Sequence, residues 1–406
     1  MQLSASLTAL STFLFVLSTP ICVSAFPTGR RHAETPNDTG SALLPPSVNE
    51  TFSARANTPP PAPPPIHLPV LPLPNANPHD LTDKGYISLV TLGDRRKNFR
   101  VLIDTGSADF WVPSETSTTL GAHNGIGPHS STTLQVSRTP FRVGYEDGTQ
   151  VAGQVGADTL TMGRVSVPAV PVGVASTVQG LITQTKADGI LGLASSRKSS
   201  MGQHTVLETL AARGAIPAPI VGLKLPRLAD RSNGEVSLGA PNFAKFNAQT
   251  QAASVNSKTD GLWGARVAGI TVNGRRIPIS SAIFDSGAEA ITAPTPAGGQ
   301  FNQAIPGVIQ ELQADHTTLS IIPCNSQPTL ASVIVVTIGQ QTFQMQARDL
   351  VGPFVQSVQG VNYCLSLVQD SRSRAQGEWI LGIPFLKNVY SIYDQARNTV
   401  TIARLT

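Results

Sequence analysis

The 406-residue chain carries little charge, since only 13% of its residues are Asp, Glu, Lys or Arg. That is about half the share in an average globular protein. The densest basic runs are short, at Arg30-Arg31 and Arg95-Arg96-Lys97. Proteins that bind phosphate backbones concentrate basic residues on one face, so no nucleic-acid partner is expected despite the formal net charge of +4.

Long apolar runs are also scarce, apart from one stretch near the beginning of the sequence. This stretch centres on residues 13–17, and small residues follow it up to Ala25. It is too short to span a bilayer comfortably and resembles a secretory signal cleaved after Ala25, although no Lys or Arg precedes it. Residues 1–25 are predicted to be a signal peptide, and the protein is expected to be secreted, with no membrane partner.

Cysteine is nearly absent, and one of the three cysteines, Cys22, lies in the predicted signal. Cys324 and Cys364 remain, an even pair in an oxidising compartment, and they are predicted to form a disulfide. The bridge would close a loop of roughly 40 residues and stabilise the fold by about 4 kcal/mol in the chain-entropy model. Two free buried thiols are the alternative.

Two familiar catalytic patterns are missing. The seven histidines form no H-E-x-x-H motif, and no G-x-S-x-G motif occurs. The first motif is typical of zinc metalloproteases and the second of serine hydrolases, so neither class is predicted. No metal and no other cofactor is expected.

Residues 26–78 are rich in proline, with two Pro-Pro-Pro runs, and few large apolar residues precede Ile66. Such a stretch is not expected to pack a core, so it is predicted to be extended or disordered, as a pro-segment, a linker or both. It contains two N-glycosylation sequons, at Asn37 and Asn49. Its few basic residues, which could anchor a pro-segment, are Arg30, Arg31, His32, Arg55 and His67.

From about residue 80, short apolar runs alternate with Gly, Asn, Asp and Pro. Residues 86–90 and 99–103 are examples of this pattern, which is typical of strands and turns. Helical periodicity is rare, and helices are predicted only at residues 206–212 and 301–312. The fold is therefore predicted to be mostly β.

A weak internal repeat divides this β-rich region. Each half has an apolar run that ends in an acidic turn, at Asp104 and at Asp285, and later a second apolar run that ends in glycine. Two copies of one β unit that face each other would bring two carboxylates to their interface. The two lobes are predicted to comprise residues 79–248 and 249–406.

Asp-Thr-Gly or Asp-Ser-Gly alone is a weak signal, but the surrounding sequence is specific. Residues 99–114, FRVLIDTGSADFWVPS, closely resemble the first active-site segment of pepsin-like aspartic proteases, and residues 282–288, AIFDSGA, resemble the second. Residues 143–149, VGYEDGT, resemble the flap hairpin. Residues 187–193 and 379–385, ADGILGL and WILGIPF, resemble the two hydrophobic-glycine strands. The resemblance covers about residues 80–406, and Cys324 and Cys364 match the disulfide of the second lobe.

The resemblance implies an all-β, bilobal pepsin-like fold, with two pseudo-symmetric lobes, a cleft between them and a few short helices. It implies a secreted, fungal-type aspartic endopeptidase that hydrolyses peptide bonds in extended polypeptides at acidic to weakly acidic pH. The attacking water would be activated between Asp104 and Asp285. Inhibition by pepstatin is expected, and a monomer is expected because both halves lie in one chain.

The resemblance also implies roles for residues around the two aspartates. The residues expected to support the dyad are Thr105, Gly106, Ser107, Trp111, Ser286 and Gly287. The residues expected to form the flap and contact substrate are Tyr145, Asp147, Gly148 and Thr149, with Trp111 as hydrogen-bond partner of Tyr145. Asp109, Asp147 and Asp188 are interpreted as structural acids, and apolar pockets are expected around Tyr145, Ile190 and Ile291.

Three residues depart from the family pattern. Ala288 stands where a Thr or Ser usually donates to the second aspartate, which should raise the upper pKa of the dyad. Ile383 stands where Asp is frequent, and Glu146 stands at a usual flap glycine, where it is expected to make the hairpin tip less permissive. We therefore expect a milder pH optimum than in gastric enzymes. The alternative function is a non-catalytic secreted binding or inhibitor protein on the same scaffold.

Overall fold

The structure is a computed structural model that describes residues 61–73, 82–325 and 331–406. The predicted signal peptide, both sequons and most of the proline-rich segment lie outside the described residues. The predictions made for them therefore stay predictions. Within the described residues, strands dominate and only three short α-helices occur. The fold class predicted from the sequence, all-β with a few short helices, is confirmed.

The strands of the first half are β1 (Ile66–Pro72), β2 (Tyr86–Leu92), β3 (Lys97–Asp104), β4 (Phe110–Pro113), β5 (Gln135–Gly144), β6 (Gln150–Met162), β7 (Val165–Gln179), β8 (Gly189–Gly192), β9 (Ile220–Lys224) and β10 (Gly234–Leu238). The strands of the second half are β11 (Ala252–Val255), β12 (Gly264–Arg266), β13 (Gly269–Val272), β14 (Arg275–Ile277), β15 (Ser281–Phe284), β16 (Ile291–Pro294), β17 (Ile309–Leu312), β18 (Thr318–Pro323), β19 (Ile334–Ile338), β20 (Gln341–Met345), β21 (Val351–Val358), β22 (Val361–Ser366), β23 (Val368–Ser371), β24 (Glu378–Leu381), β25 (Val389–Asp394) and β26 (Thr399–Arg404). The α-helices are α1 (Val206–Ala212), α2 (Ala297–Gln303) and α3 (Ile383–Leu386).

The structure confirms one of the two predicted helices and corrects the other. Helix α1 begins at a capping box in which Thr205 and Glu208 satisfy each other's backbone amides. The helix predicted at residues 301–312 is wrong from residue 304 onward, because α2 ends at Gln303 and residues 309–312 form strand β17. The physical reason is Pro306-Gly307, since Gly307 adopts a φ of 77° that ends helical backbone.

The expectation that the proline-rich segment has no core packing is wrong for β1. Ile66, Leu68 and Val70 alternate with more exposed residues and are buried, and β1 pairs with β10 and β2. The alternation of apolar residues is the strand signal that the proline content obscured. His67, considered above as an anchor for a pro-segment, lies on this strand and faces Glu235 at 3.3 Å.

The largest sheet has 13 strands in the order β11-β26-β25-β9-β10-β1-β2-β3-β8-β4-β7-β6-β5. Strand β25 pairs with β9 of the first half, and β26 and β11 extend the sheet beyond β25. The division predicted at residue 248 is for this reason not a division between sheets. Three smaller sheets, β12-β15-β24-β16-β23, β14-β13-β19-β20 and β17-β18-β22-β21, complete the second half.

The internal repeat has a counterpart in the pairing of strands. Strand β3 runs parallel to β8, and Asp104 lies opposite Gly192. Strand β15 runs parallel to β24 in the same way, and Phe284 lies opposite Leu381. Each acidic turn thus follows a buried strand that a hydrophobic-glycine strand supports.

The predicted disulfide between Cys324 and Cys364 is present and joins the end of β18 to β22. The main apolar core is continuous across both halves and includes Trp263, Trp379 and Phe284. None of the helices in the described ranges is long and apolar enough to cross a bilayer.

Candidate active site

The two aspartate turns meet at the interface between the halves. Asp104 ends β3, and Asp285 follows β15 directly. A Cβ atom on Gly106 would lie 2.3 Å from Oδ2 of Asp285, so this position of the turn has room only for glycine. The two carboxyl groups are hydrogen-bonded to each other, and both aspartates are completely buried.

A reciprocal set of hydrogen bonds fixes the two turns against each other. The amide of Thr105 donates to Oγ of Ser286 at 3.1 Å, and the amide of Ser286 donates to Oγ1 of Thr105 at 2.9 Å. The hydroxyls then donate to backbone carbonyls of the opposite half, Thr105 to Phe284 at 3.0 Å and Ser286 to Ile103 at 2.8 Å. All four bonds are buried, so they hold the carboxyls in register with little freedom.

The support of the two carboxylates differs between the halves. Oδ1 of each accepts a 2.8 Å hydrogen bond from the glycine amide two residues later, Gly106 for Asp104 and Gly287 for Asp285. Oδ2 of Asp104 also accepts a short hydrogen bond from the hydroxyl of Ser107. The position that matches Ser107 in the second half is Ala288, a buried methyl group that has no hydroxyl to donate.

Burial raises the pKa of both aspartates. For Asp104 the rise is partly offset by the hydrogen bonds from Ser107 and Gly106. For Asp285 the rise is larger, since the nearby charge of Asp104 adds to burial and Glu146 contributes in the same direction. Because ionised Asp104 favours a protonated Asp285, the pair is suited to hold one proton, and its titration belongs to the pair.

Ala288 and Ile383 are neighbours in space. The amide of Ile383 donates to the carbonyl oxygen of Ala288 at 2.8 Å, and both residues are completely buried. The intervening Gly382 is so close that a Cβ there would lie 2.4 Å from the Ala288 oxygen. A backbone hydrogen bond thus joins the two departures from the family pattern.

The hairpin formed by β5 and β6 carries the segment from Tyr145 to Thr149 at its tip. The amides of Tyr145 and Gly148 close the turn through bonds of 2.9 and 3.0 Å to the carbonyls of Thr149 and Tyr145. Nε1 of Trp111 donates to Oη of Tyr145 at 2.7 Å, as the resemblance implied. Asp147 accepts from both the amide and the hydroxyl of Thr149 at 2.8 Å, so these polar groups are used within the turn.

The structure corrects the expected effect of Glu146 on the hairpin tip. The left-handed backbone of this turn falls on Gly148, with a φ of 83°, whereas Glu146 has no positive φ. A side chain at position 146 therefore causes no backbone strain. Instead, the carboxylate of Glu146 forms an ion pair with Arg374 of the second half. The sequence analysis missed Arg374, because no motif includes it.

Asp109 and Asp188 have the contacts expected of structural acids. Asp109 accepts from the hydroxyl of Ser199 at 2.5 Å and from the amide of Ser200 at 2.7 Å. Asp188 pairs with Arg100 at 3.0 Å. Burial opposes ionisation of Asp188, but hydrogen bonds from Arg100 outweigh it and lower the pKa of this carboxyl.

One apolar pocket adjoins the flap. Its lining consists mainly of buried apolar side chains and includes Leu73, Leu102, Tyr145, Ile182 and Ile190. The predicted contribution of Tyr145 and Ile190 to a pocket thus agrees with the structure. Ile291, in contrast, lies on β16 within the main apolar core and does not line this pocket.

The site consists of two hydrogen-bonded carboxyls on interlocked turns, beneath a hairpin with a tyrosine. Within the described ranges no group of three or more His, Cys, Asp or Glu side chains could hold a metal ion. The carboxyl pair itself can accept one proton and donate another.

Comparison with known proteins assigns the chain to a family. The model of the eukaryotic aspartyl protease family matches residues 85–405. The aspartic-type endopeptidase ctsD of Aspergillus fumigatus is 26% identical over 79% of this chain and 66% of its own length. An aspartic protease of Phaffia rhodozyma is 28% identical over 80% of this chain and 78% of its own, and human gastricsin is 28% identical over 79% and 81%.

The chain belongs to the eukaryotic aspartyl protease family. This confirms the family and the hydrolase class predicted from the sequence. The chain spans slightly less than two thirds of the Aspergillus relative and about four fifths of the other two.

Proposed function

We propose that the protein is a secreted aspartic endopeptidase that cleaves extended polypeptides through a water activated between Asp104 and Asp285. The observation that carries the proposal is the pair of buried, mutually hydrogen-bonded carboxyls on turns that Thr105 and Ser286 lock together. A buried carboxylate with a structural role is usually paired with a cation, as Asp188 is paired with Arg100. Here the partner is another carboxyl, which favours a shared proton and acid–base chemistry.

The unequal hydrogen bonding of the two carboxyls indicates a different catalytic role for each. Ser107 and Gly106 stabilise the ionised form of Asp104, so Asp104 takes the proton of the attacking water. Asp285, whose pKa is raised further, holds the shared proton and donates it to the carbonyl oxygen of the substrate. The water oxygen bonds to the carbonyl carbon. The tetrahedral intermediate then collapses: Asp104 gives its proton to the amide nitrogen, and a hydroxyl of the intermediate returns a proton to Asp285. The C=O double bond re-forms as the C–N bond breaks.

The hairpin and the pocket beside it would receive the substrate. An extended peptide can form backbone hydrogen bonds along the flap, as peptides do at strand edges. The apolar lining around Leu73, Leu102 and Ile190 suits an apolar side chain next to the scissile bond. Since both aspartates come from one chain, a monomer suffices for catalysis.

Secretion and a weakly acidic pH optimum are part of the proposal. The Cys324–Cys364 disulfide supports an oxidising compartment, in agreement with the predicted signal at residues 1–25. The methyl group of Ala288 provides no hydrogen bond to the ionised form of Asp285. The pKa of the dyad is therefore expected to be higher than in relatives with a hydroxyl at this position.

The test is cleavage of denatured haemoglobin or casein from pH 2 to 7, with and without pepstatin, by the protein and by Asp104→Asn. Pepstatin-sensitive cleavage that disappears in the variant would support the proposal. No cleavage at any pH, with pepstatin binding retained, would instead favour a non-catalytic binding protein. Cleavage that pepstatin and the substitution leave unchanged would reject the two-aspartate mechanism.

A further inference from the structure

The tip of the flap is joined to the opposite half of the molecule. Glu146 and Arg374, 228 residues apart in sequence, form an ion pair, and their side chains are only 17% and 11% exposed. In the described part of the chain, Nε of Arg374 is buried and has no hydrogen-bond acceptor. A charged pair in such a partly dry site is harder to break than an exposed pair, because separation leaves two poorly solvated charges.

The two ends of this contact are held very differently. Arg374 lies in the loop between β23 and β24, which backbone bonds fix on both sides. Before Arg374 the amide of Thr295 donates to the carbonyl of Ser371 at 3.1 Å, and after it the amide of Ser280 donates to that of Gly377 at 2.8 Å. Glu146, in contrast, lies at the tip of a projecting hairpin. The ion pair thus ties a projecting hairpin to a fixed loop.

The flap closes the site when this contact is formed. Asp104 and Asp285 have no exposed surface, and Tyr145 is 4% exposed. A bound peptide in extended form needs about 4.8 Å to a strand that it hydrogen-bonds, and about 10 Å between the two layers that pack on its faces. An extended peptide therefore cannot reach the carboxyls until the hairpin moves away from them.

We propose that Glu146 and Arg374 form a latch between the flap and the second half, which a peptide must break to reach the two aspartates. The two residues act as positioning residues, because they control the flap and not the reacting atoms. The consequence for cleavage rests on the proposed protease function, whereas the consequence for flap opening does not. Lys198, a buried cation, lies within electrostatic range of both residues, so it attracts Glu146 and repels Arg374.

The direct test is hydroxyl-radical footprinting of Tyr145 in Glu146→Gln, Arg374→Gln and the double variant. The single substitutions break the same contact but change the charge near the aspartates in opposite directions. We expect both to increase oxidation of Tyr145 by about five- to tenfold, and the double variant to match either one. Glu146→Arg combined with Arg374→Glu should restore slow oxidation by re-forming the pair.

Two controls separate the latch from general loosening. Tyr86 is buried away from the flap, where it donates to the carbonyl of Pro226 at 3.0 Å, so its oxidation should not change. Arg348→Gln removes an exposed ion pair with Asp230 and should leave Tyr145 protected. Unchanged oxidation of Tyr145 in either single variant would overturn the proposal. So would an increase in oxidation in the double variant that equals the sum of the increases in the two single variants.

Cleavage kinetics test the consequence for substrate binding. If the latch competes with the peptide, both single variants should lower KM by about fivefold. Any change in kcat should differ in direction between them, because the two substitutions change the charge near the aspartates in opposite directions. An unchanged KM would overturn competition with substrate. Absence of cleavage by every form would reject the proposed function, and the footprinting would still decide on the latch.

Discussion

Asp104 and Asp285 begin equivalent turns, but only one of the two carboxylates accepts a hydrogen bond from a side-chain hydroxyl three residues later. Three residues after Asp104 stands Ser107, which donates to the carboxylate, and three residues after Asp285 stands Ala288, which cannot. The backbone bonds to the two aspartates are otherwise matched, at 2.8 Å from Gly106 and Gly287. The comparison teaches that one missing hydroxyl makes the hydrogen bonding of a nearly symmetric carboxyl pair unequal.

Removing either carboxyl should have the largest effect. Asp104→Asn and Asp285→Asn should each reduce kcat/KM for a peptide substrate by at least about 10⁴-fold, because the pair acts as a unit. The double variant should be only slightly less active than either single variant. Stopped assays at high enzyme concentration measure these values, and a single variant that keeps a tenth of the activity would show that the two aspartates do not share the chemistry.

Removing either hydroxyl that joins the two aspartate turns should destabilise the protein to the same extent. Thr105→Ala and Ser286→Ala each remove a buried hydroxyl that accepts one bond and donates another. We expect each to lower the free energy of unfolding by about 1–3 kcal/mol. Urea unfolding measures the loss, and Thr105→Ser is the matched control that keeps the hydroxyl. Effects that differ strongly between the two sides would contradict the symmetry of the bonds.

The raised pKa of Asp285 makes stability depend on pH. Since burial raises this pKa in the folded protein, the folded state binds the proton more tightly than the unfolded chain, whose Asp titrates near about 4. The contribution of Asp285 to stability is therefore present below about pH 4 and is lost as pH rises through the folded pKa.

Asp285→Asn should consequently be more stable than the unchanged protein near pH 6, by about 1–2 kcal/mol, and the difference should shrink toward pH 3. Thermal unfolding at both pH values measures it, with Asp315→Asn as an exposed control. A variant that is less stable at pH 6 would show that ionised Asp285 is better compensated than its surroundings indicate.

Restoring the missing hydroxyl should have the smallest effect. Ala288→Ser offers a donor to Asp285 and should lower the upper pKa of the dyad, which shifts the acidic activity profile down by about half a unit to one unit. Ser107→Ala removes the matching donor and should shift the profile upward. The pH dependence of kcat/KM measures both, and shifts in the same direction would remove Ala288 as the cause of the asymmetry.

Much of the catalytic centre could be predicted because the site is local in sequence. The Asp104 and Asp285 turns and the hydrophobic-glycine strands are short continuous segments, so their residues identify them before any folding is considered. Strand β1 was missed because its prolines concealed the alternation of Ile66, Leu68 and Val70, which only becomes meaningful when β10 and β2 are beside it.

The Glu146–Arg374 contact could not be predicted for a different reason. It joins residues 228 positions apart, in loops that carry no recurring motif, and depends on how the flap lies over the second half. The neighbouring positions of Ala288 and Ile383 are likewise a property of the fold. Sequence reasoning identified each departure separately but could not show that a backbone hydrogen bond joins two of them.

The dependence of kcat/KM on pH, measured for the unchanged protein with a pepstatin control, tests the central claim most directly. A buried pair that shares one proton predicts a bell-shaped, pepstatin-sensitive profile with its maximum between about pH 4 and pH 6. A profile with a single limb, or a maximum below about pH 3, would contradict the claim that Asp104 and Asp285 share a proton at a raised pKa.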